Sequence, residues 1–407
     1  MGVASLVTRF PTILVVFMVI SWGLATILVI RFLPDYIDYD FSKLKQKSKQ
    51  GQAVFQIYRR VTALFDLHQS PAVIIADDPS EVKEICQVVM AKKAAAGSGY
   101  TPLDTCKNIY SFLPEQQEEK LAVIAEIRKL LADKTIKLIA KEQRLEIDKL
   151  KEDLPSQAIT LANLPEQITK NFEEMDGTKG RLVYVYPKKD ARLWDGRNLA
   201  AYAEAVRETH LKSGRIVYSA CEHVIYTDML RSISADGPKT TIAAFLGVLF
   251  IIIINMKGFR PAAHIIWTLL IGIIWLGGIM AFYKIRLNFF NFIAIPTTFG
   301  IGVDYAVNIY QRYTLEGRGN VRQVILTTGG AVALCSLTTI FGYYTLVIAE
   351  TRALVSFGTI ALIGEFTCLG AALFMMPAII LILEKYKVNR LLPAPPSSGS
   401  NDEIKPA

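Results

Sequence analysis

Six apolar runs, each long enough to cross a bilayer as a helix, constrain this chain more than any other feature. A helix needs about 20 apolar residues to span the hydrocarbon core. Thr12 to Ile30 is the first such run, and it carries no charge. A long polar stretch follows, and the runs then return in close order. Thr240 to Met256 and Pro261 to Tyr283 are free of Asp, Glu, Lys and Arg. Leu287 to Gln311 carries only Asp304, Gln323 to Ala349 carries no charge, and Ala353 to Leu383 carries only Glu365. The expected fold is therefore an α-helical membrane bundle of six transmembrane helices, one plus five. Composition agrees, with 52% hydrophobic and 20% charged residues over 407 positions, where a soluble domain averages about 25% charged. The first run is expected to stay as a span rather than serve as a cleaved leader. It is long, no small-x-small cleavage site stands out, and Arg31 follows directly.

Orientation follows from Lys and Arg in the short connections, which favour the cytoplasm. With the N-terminus inside, one side holds Arg9, Lys257, Arg260, Arg312, Arg318, Arg322, Lys385, Lys387 and Arg390. The other holds Arg31, Lys284, Arg286 and Arg352. Nine against four places both termini in the cytoplasm and the polar stretch outside it. The net charge of +8 is then a loop signature, with no nucleic-acid partner expected.

The stretch 32–239 is long enough for a domain of its own. PAVIIADDPSEVKEICQVVMAKK reads as a strand, a turn at Asp77-Asp78-Pro79, and a helix capped near Ser80. Glu115 to Leu154 has helical spacing, either as a solvated arm or as the lining of a cleft. GRLVYVYP (180–187) alternates as a strand does, Leu199 to Thr209 is helical, and Gly214 to Tyr218 is a short strand. An α+β extracytoplasmic domain is expected between helices one and two. The organisation is thus 1–31 for the first segment and span, 32–239 for the outer domain, 240–385 for five further spans, and 386–407 for a disordered cytoplasmic tail, PAPPSSGSNDEIKPA at its end.

A carboxylate within a membrane helix is energetically expensive and marks a functional candidate. Asp304 sits well inside the fourth span, after Gly300 and Gly302 and before Tyr305. The glycines admit close backbone approach, and the tyrosine offers a hydroxyl. Desolvation and a polar neighbour shift a carboxyl pKa in opposite directions, so a balanced Asp304 can take up and release protons. The alternative is a structural Asp satisfied between helices. Glu365 in the sixth span either assists such a relay, faces a water-filled crevice, or bonds a neighbouring helix. Ser336, Thr338 and Thr339 in the fifth span either support Asp304 or bond their own backbone.

Other chemistries find little footing. There is no phosphate-cradling loop and no nucleophile elbow, so neither an ATPase nor another enzyme is indicated. His68, His210, His223 and His264 are scattered and suggest no metal site or cofactor. Cys335 and Cys368 fall in spans as packing residues. Cys86, Cys106 and Cys221 fall in the outer domain, where spacing selects no pairing.

Three segments carry a family likeness: GIGVDYAVNIYQRY in helix four, TTGGAVALCSLTTIFGYYTLVIAE in helix five, and ALVSFGTIALIGEFTCLGAALFMMPAIIL in helix six. Together with the layout they resemble one half of a resistance-nodulation-division (RND) transporter. The likeness is to the MMPL and hopanoid-exporter branch, relatives of sterol-sensing-domain proteins. The resemblance implies export of lipids or other hydrophobic molecules from the inner membrane, driven by the proton-motive force. It implies Asp304 as proton carrier, Tyr305 as its partner, and support from Ser336, Thr338, Thr339 and Glu365. It also implies pairing with a second half, a copy of this chain or a separate six-helix chain, in which the Asp of one half faces the Tyr of the other. The chain resembles a second half slightly more than a first. A non-transporting sterol- or lipid-sensing module, or a protein-export accessory, is the alternative, and Asp304 argues against a sensor because sensing needs no intramembrane proton site.

Overall fold

The computed structural model describes residues 2–44, 49–65, 67–68, 70–95, 101–131, 149–150, 154–155, 157–256 and 258–386. Along the chain the longer helices are α1 (Gly2–Arg9), α2 (Pro11–Phe32), α3 (Lys49–Leu64), α4 (Glu81–Ala95), α5 (Gln117–Leu131), α6 (Gly196–Arg207), α7 (Glu222–Asn255), α8 (Phe259–Phe282) and α9 (Ala294–Glu316). The last two are α10 (Val321–Val347) and α11 (Arg352–Lys385), each with one π-helical turn, Ile325–Gly329 and Ala371–Met375. The strands are β1 (Ala72–Ile75), β2 (Leu103–Asn108), β3 (Leu182–Pro187), β4 (Glu208–His210) and β5 (Ile216–Ala220). Residues 132–148 of the expected helical stretch and the tail beyond 386 lie outside the described residues.

The chain divides into two compact units, 1–57 with 194–196 and 228–407, and 58–193 with 197–227. Among the described residues six helices, α2 and α7 to α11, are long and apolar enough to cross a membrane. Helix α2 is apolar all round, and its side chains Ile13, Phe17, Ile20 and Ile27 are exposed, as suits a lipid-facing helix. The bundle packs through small residues. Gly272 of α8 and Gly302 of α9 both lie against Cys368 of α11, so close that a Cβ at Gly302 would sit 2.7 Å from the Cys368 sulfur. Gly278 of α8 lies against Ala25 of α2 in the same way. Without a hydrophobic drive between helices in lipid, such close approach is what dispersion requires. Helix α1 lays Ala4 and Val7 into the core formed with Ala262, Ile265, Val324 and Ala378. It therefore closes one end of the bundle.

The second unit is an antiparallel sheet of order β2-β3-β1-β5-β4, with Ile74 opposite Val183 and Cys106 opposite Val185. Helix α4 buries Val82, Ile85 and Val89, and α6 buries Leu199, Tyr202 and Val206. These are the i, i+3, i+7 stripes that an amphipathic helix presents to a sheet. The Tyr202 hydroxyl donates to the Val185 carbonyl at 2.6 Å and accepts from the Ala72 amide at 3.1 Å. A disulfide joins Cys86 of α4 to Cys106 of β2, and Cys221 is free.

Candidate functional site

Asp304 lies 13 residues from one end of the Asn291–Glu316 span and 12 from the other. At about 1.5 Å per residue, that is mid-depth. Glu365 lies 13 residues into the Arg352–Lys385 span. These two carboxyl groups occupy different surroundings.

Glu365 is 3% exposed and sits between two other helices. Tyr305 of α9 donates its hydroxyl to Glu365 Oε1. Ser336 of α10 donates to the same oxygen at 2.5 Å. Tyr305 and Ser336 are themselves buried, so three helices meet at one carboxyl oxygen. A buried polar group left unpaired costs about 1–3 kcal/mol, and this arrangement satisfies three at once.

Asp304, by contrast, is exposed on the single chain, and its carboxyl group has no side-chain hydrogen bond or ion pair among the described residues. It belongs to a stripe of α9 with Gly300, Asn308 and Gln311, all exposed. Their spacing of three and four residues puts them on one helix face. A Cβ at Gly300 would meet nothing within 4 Å. On α10, Cys335, Thr338 and Gly342 are likewise exposed, and Thr339 is half-buried. Thr338 and Thr339 hydroxyls turn back to the Cys335 carbonyl, at 2.7 and 3.4 Å.

The expected residues thus separate into two groups. Tyr305, Ser336 and Glu365 come together in the interior. Asp304, Gly300 and Thr338 face outward, and Thr339 is half-buried. Gly302 is not on the Asp304 face but packs inside against Cys368 and Leu269. Tyr305 does not meet Asp304 within this chain, because consecutive helical residues point about 100° apart. A third carboxyl group escaped the sequence reading. Glu384, near the end of α11, accepts from the Tyr313 hydroxyl at 2.8 Å and from the Gly319 amide at 2.9 Å. It ties the sixth span to the α9–α10 connection. Its position just beyond the apolar run was the only available signal. The described residues contain no cluster of His, Cys, Asp or Glu able to hold a metal ion.

Six apolar helices, small-residue packing, intramembrane carboxyl groups and a separate sheet unit define a polytopic membrane protein with a polar site at mid-depth. The MMPL family model matches residues 107–393. The chain belongs to the MMPL family. It is 30% identical over 155 residues to a membrane protein of Methanocaldococcus jannaschii, covering 36% of this chain and 39% of that one. It is 27% identical over 240 residues to the hopanoid transporter HpnN of Rhodopseudomonas palustris, covering 58% of this chain and 26% of the transporter. Among solved structures it is similar to a heavy metal efflux pump, at 16% identity and a TM-score of 0.36, over 52% of this chain and 22% of the pump. The chain spans well under half the length of these relatives.

Proposed function

We propose that this chain is one half of a proton-motive-force-driven exporter of the RND type, moving lipids or other hydrophobic molecules out of the inner membrane. The observation that carries the reading is the state of Asp304, a carboxyl group at mid-depth of a span with no side-chain hydrogen bond or ion pair among the described residues. An ion left there in hydrocarbon has no compensation. A second half laid over the Gly300–Asp304–Asn308 stripe removes that face from lipid and supplies polar groups to Asp304. In that setting Asp304 is the proton carrier. Tyr305, Ser336 and Glu365 join α9 to α10 and α11 in the interior, and Thr338, with half-buried Thr339, supports Asp304 from α10. The matched 240 residues cover 26% of the hopanoid transporter, a length that leaves room for a second such unit.

The Lys and Arg distribution supports cytoplasmic termini. The Cys86–Cys106 disulfide gives independent support for placing the sheet unit outside the cytoplasm, because disulfides persist in oxidising compartments. The substrate class rests on the family and on the name of the hopanoid transporter that this chain resembles.

The test is transport by the Asp304→Asn variant, which preserves shape and removes titration. The membrane potential supplies about 2.3 kcal/mol per charge per 100 mV. Loss of proton-coupled export with normal expression and insertion is the expected result, and full export by the variant removes Asp304 from the mechanism.

A further inference from the structure

Away from the Asp304 face, α8 and α11 line an open groove of about 340 Å³. Its walls are His264, Trp267 and Thr268 from α8, and Met376, Ile379 and Leu383 from α11. The volume and the mostly apolar lining with one or two polar groups match a small-molecule site. Its depth says what kind. His264 and Thr268 lie five and nine residues into α8, about 8 to 14 Å from the helix start at 1.5 Å per residue. Leu383 lies two residues from the end of α11. The groove therefore runs through one leaflet at the end of the bundle closed by α1, the depth a phospholipid's acyl chain occupies.

Arg260 precedes His264 by one turn on the same helix face, is exposed, and makes no ion pair among the described residues. No side chain caps the first turn of α8, so its amide groups and dipole also favour an anion. The one nearby carboxyl group on α11, Glu384, is turned to Tyr313 and Gly319. Within the groove the His264 ring is fixed. Its Nδ1 is 3.0 Å from the Arg260 carbonyl, which marks that nitrogen as the donor, and the ring stacks on Tyr310 at 5.6 Å. Nε2 then remains as an acceptor for a hydroxyl or ester-bound water.

We infer that this groove binds one anionic glycerophospholipid, with its phosphate at Arg260 and the start of α8 and its acyl chain along Trp267, Met376 and Ile379. The inference rests on this geometry and does not depend on the transport reading.

Native mass spectrometry of the full chain, released from mild detergent and titrated with phosphatidylglycerol or phosphatidylcholine, tests it. One saturable phosphatidylglycerol is expected, bound at least tenfold more tightly than phosphatidylcholine. Arg260→Gln should abolish that preference. Ala263→Phe, at an exposed position of the groove wall, should displace the lipid. A second readout is quenching of tryptophan fluorescence by phosphatidylglycerol brominated on its acyl chain. Trp267→Phe and Ala263→Phe should both remove the saturable component. Equal retention of the two lipids by the native chain, or unchanged binding and quenching in Ala263→Phe, overturns the inference.

Discussion

The Tyr305 hydroxyl and the Glu365 carboxyl group, 60 residues apart in sequence, are joined by a hydrogen bond in the interior of the bundle. Ser336 completes the junction from a third helix. If the junction holds α9, α10 and α11 in register, Tyr305→Phe and Ser336→Ala should each lower stability by about 1–3 kcal/mol. The double variant should depart from additivity, because both donors share one acceptor. Thermal unfolding of the purified chain in detergent measures this. Strict additivity would place the two hydroxyls in separate environments.

Asp304 and Glu365 should separate by function. The Asp304 carboxyl group makes no side-chain hydrogen bond or ion pair among the described residues, so Asp304→Asn should leave the melting temperature within about 2 °C of the native value, as expected for an exposed substitution of under 0.5 kcal/mol. Proton-coupled export should nevertheless be lost. Glu365→Gln should retain partial export with a lower melting temperature. The paired measurement is export and unfolding on the same preparations, and a reversed ranking would move the proton site from Asp304 to Glu365.

In the sheet unit, His68 and His223 lie 6.3 Å apart, and Tyr202 packs on His223 at 5.3 Å. Burial lowers the pKa of both histidines, with Glu222 opposing the shift. The start of α7 also disfavours a cation at His223. Lowered folded-state values mean that the unfolded chain binds more protons below about pH 6.5, so stability is fully present above that pH and declines as pH falls through the folded pKa values. The slope is at most about 1.4 kcal/mol per pH unit for His223. Unfolding of the sheet unit followed between pH 7.5 and 5 should show this decline, and His223→Leu should flatten it. An equal slope in that variant would assign the dependence elsewhere.

The Cys86–Cys106 link closes a segment with a sequence separation of 20, worth about 3 kcal/mol by the chain-entropy estimate. Reductant should lower the unfolding transition of the sheet unit and leave the bundle unchanged. In cells, thiol alkylation before and after reduction should reveal two additional thiols. Alkylation of both without reduction would place the unit in a reducing compartment and reverse the topology.

The spans were legible because hydrocarbon thickness imposes run length directly. Each of the six expected runs overlaps one observed helix, although the run Leu287 to Gln311 begins seven residues before α9 (Ala294–Glu316), and β1, α4, β3 and β5 followed from alternation and turn chemistry. Strand β2, with the sequence LDTCKN, was not legible. Its polar residues are accommodated beside β3 and α4, which is tertiary information. The same contact selects Cys86–Cys106 from pairings that spacing left open. At the site, residue type singled out Asp304 and Glu365, but type does not give direction. That Tyr305 turns inward to Glu365 while Asp304 turns outward follows from helical phase and from which neighbours each face meets.

The central claim is that the Asp304 face is an interface between two halves. The direct measurement is disulfide cross-linking in native membranes of chains carrying Gly300→Cys or Asn308→Cys, with Cys335→Ser to silence the exposed thiol of α10. Ile20→Cys, on the lipid-facing side of α2, serves as control. The account predicts a cross-linked pair of halves for at least one of the two stripe positions and none for Ile20→Cys. A single-chain mass for both stripe variants, or equal cross-linking of the control, would contradict it.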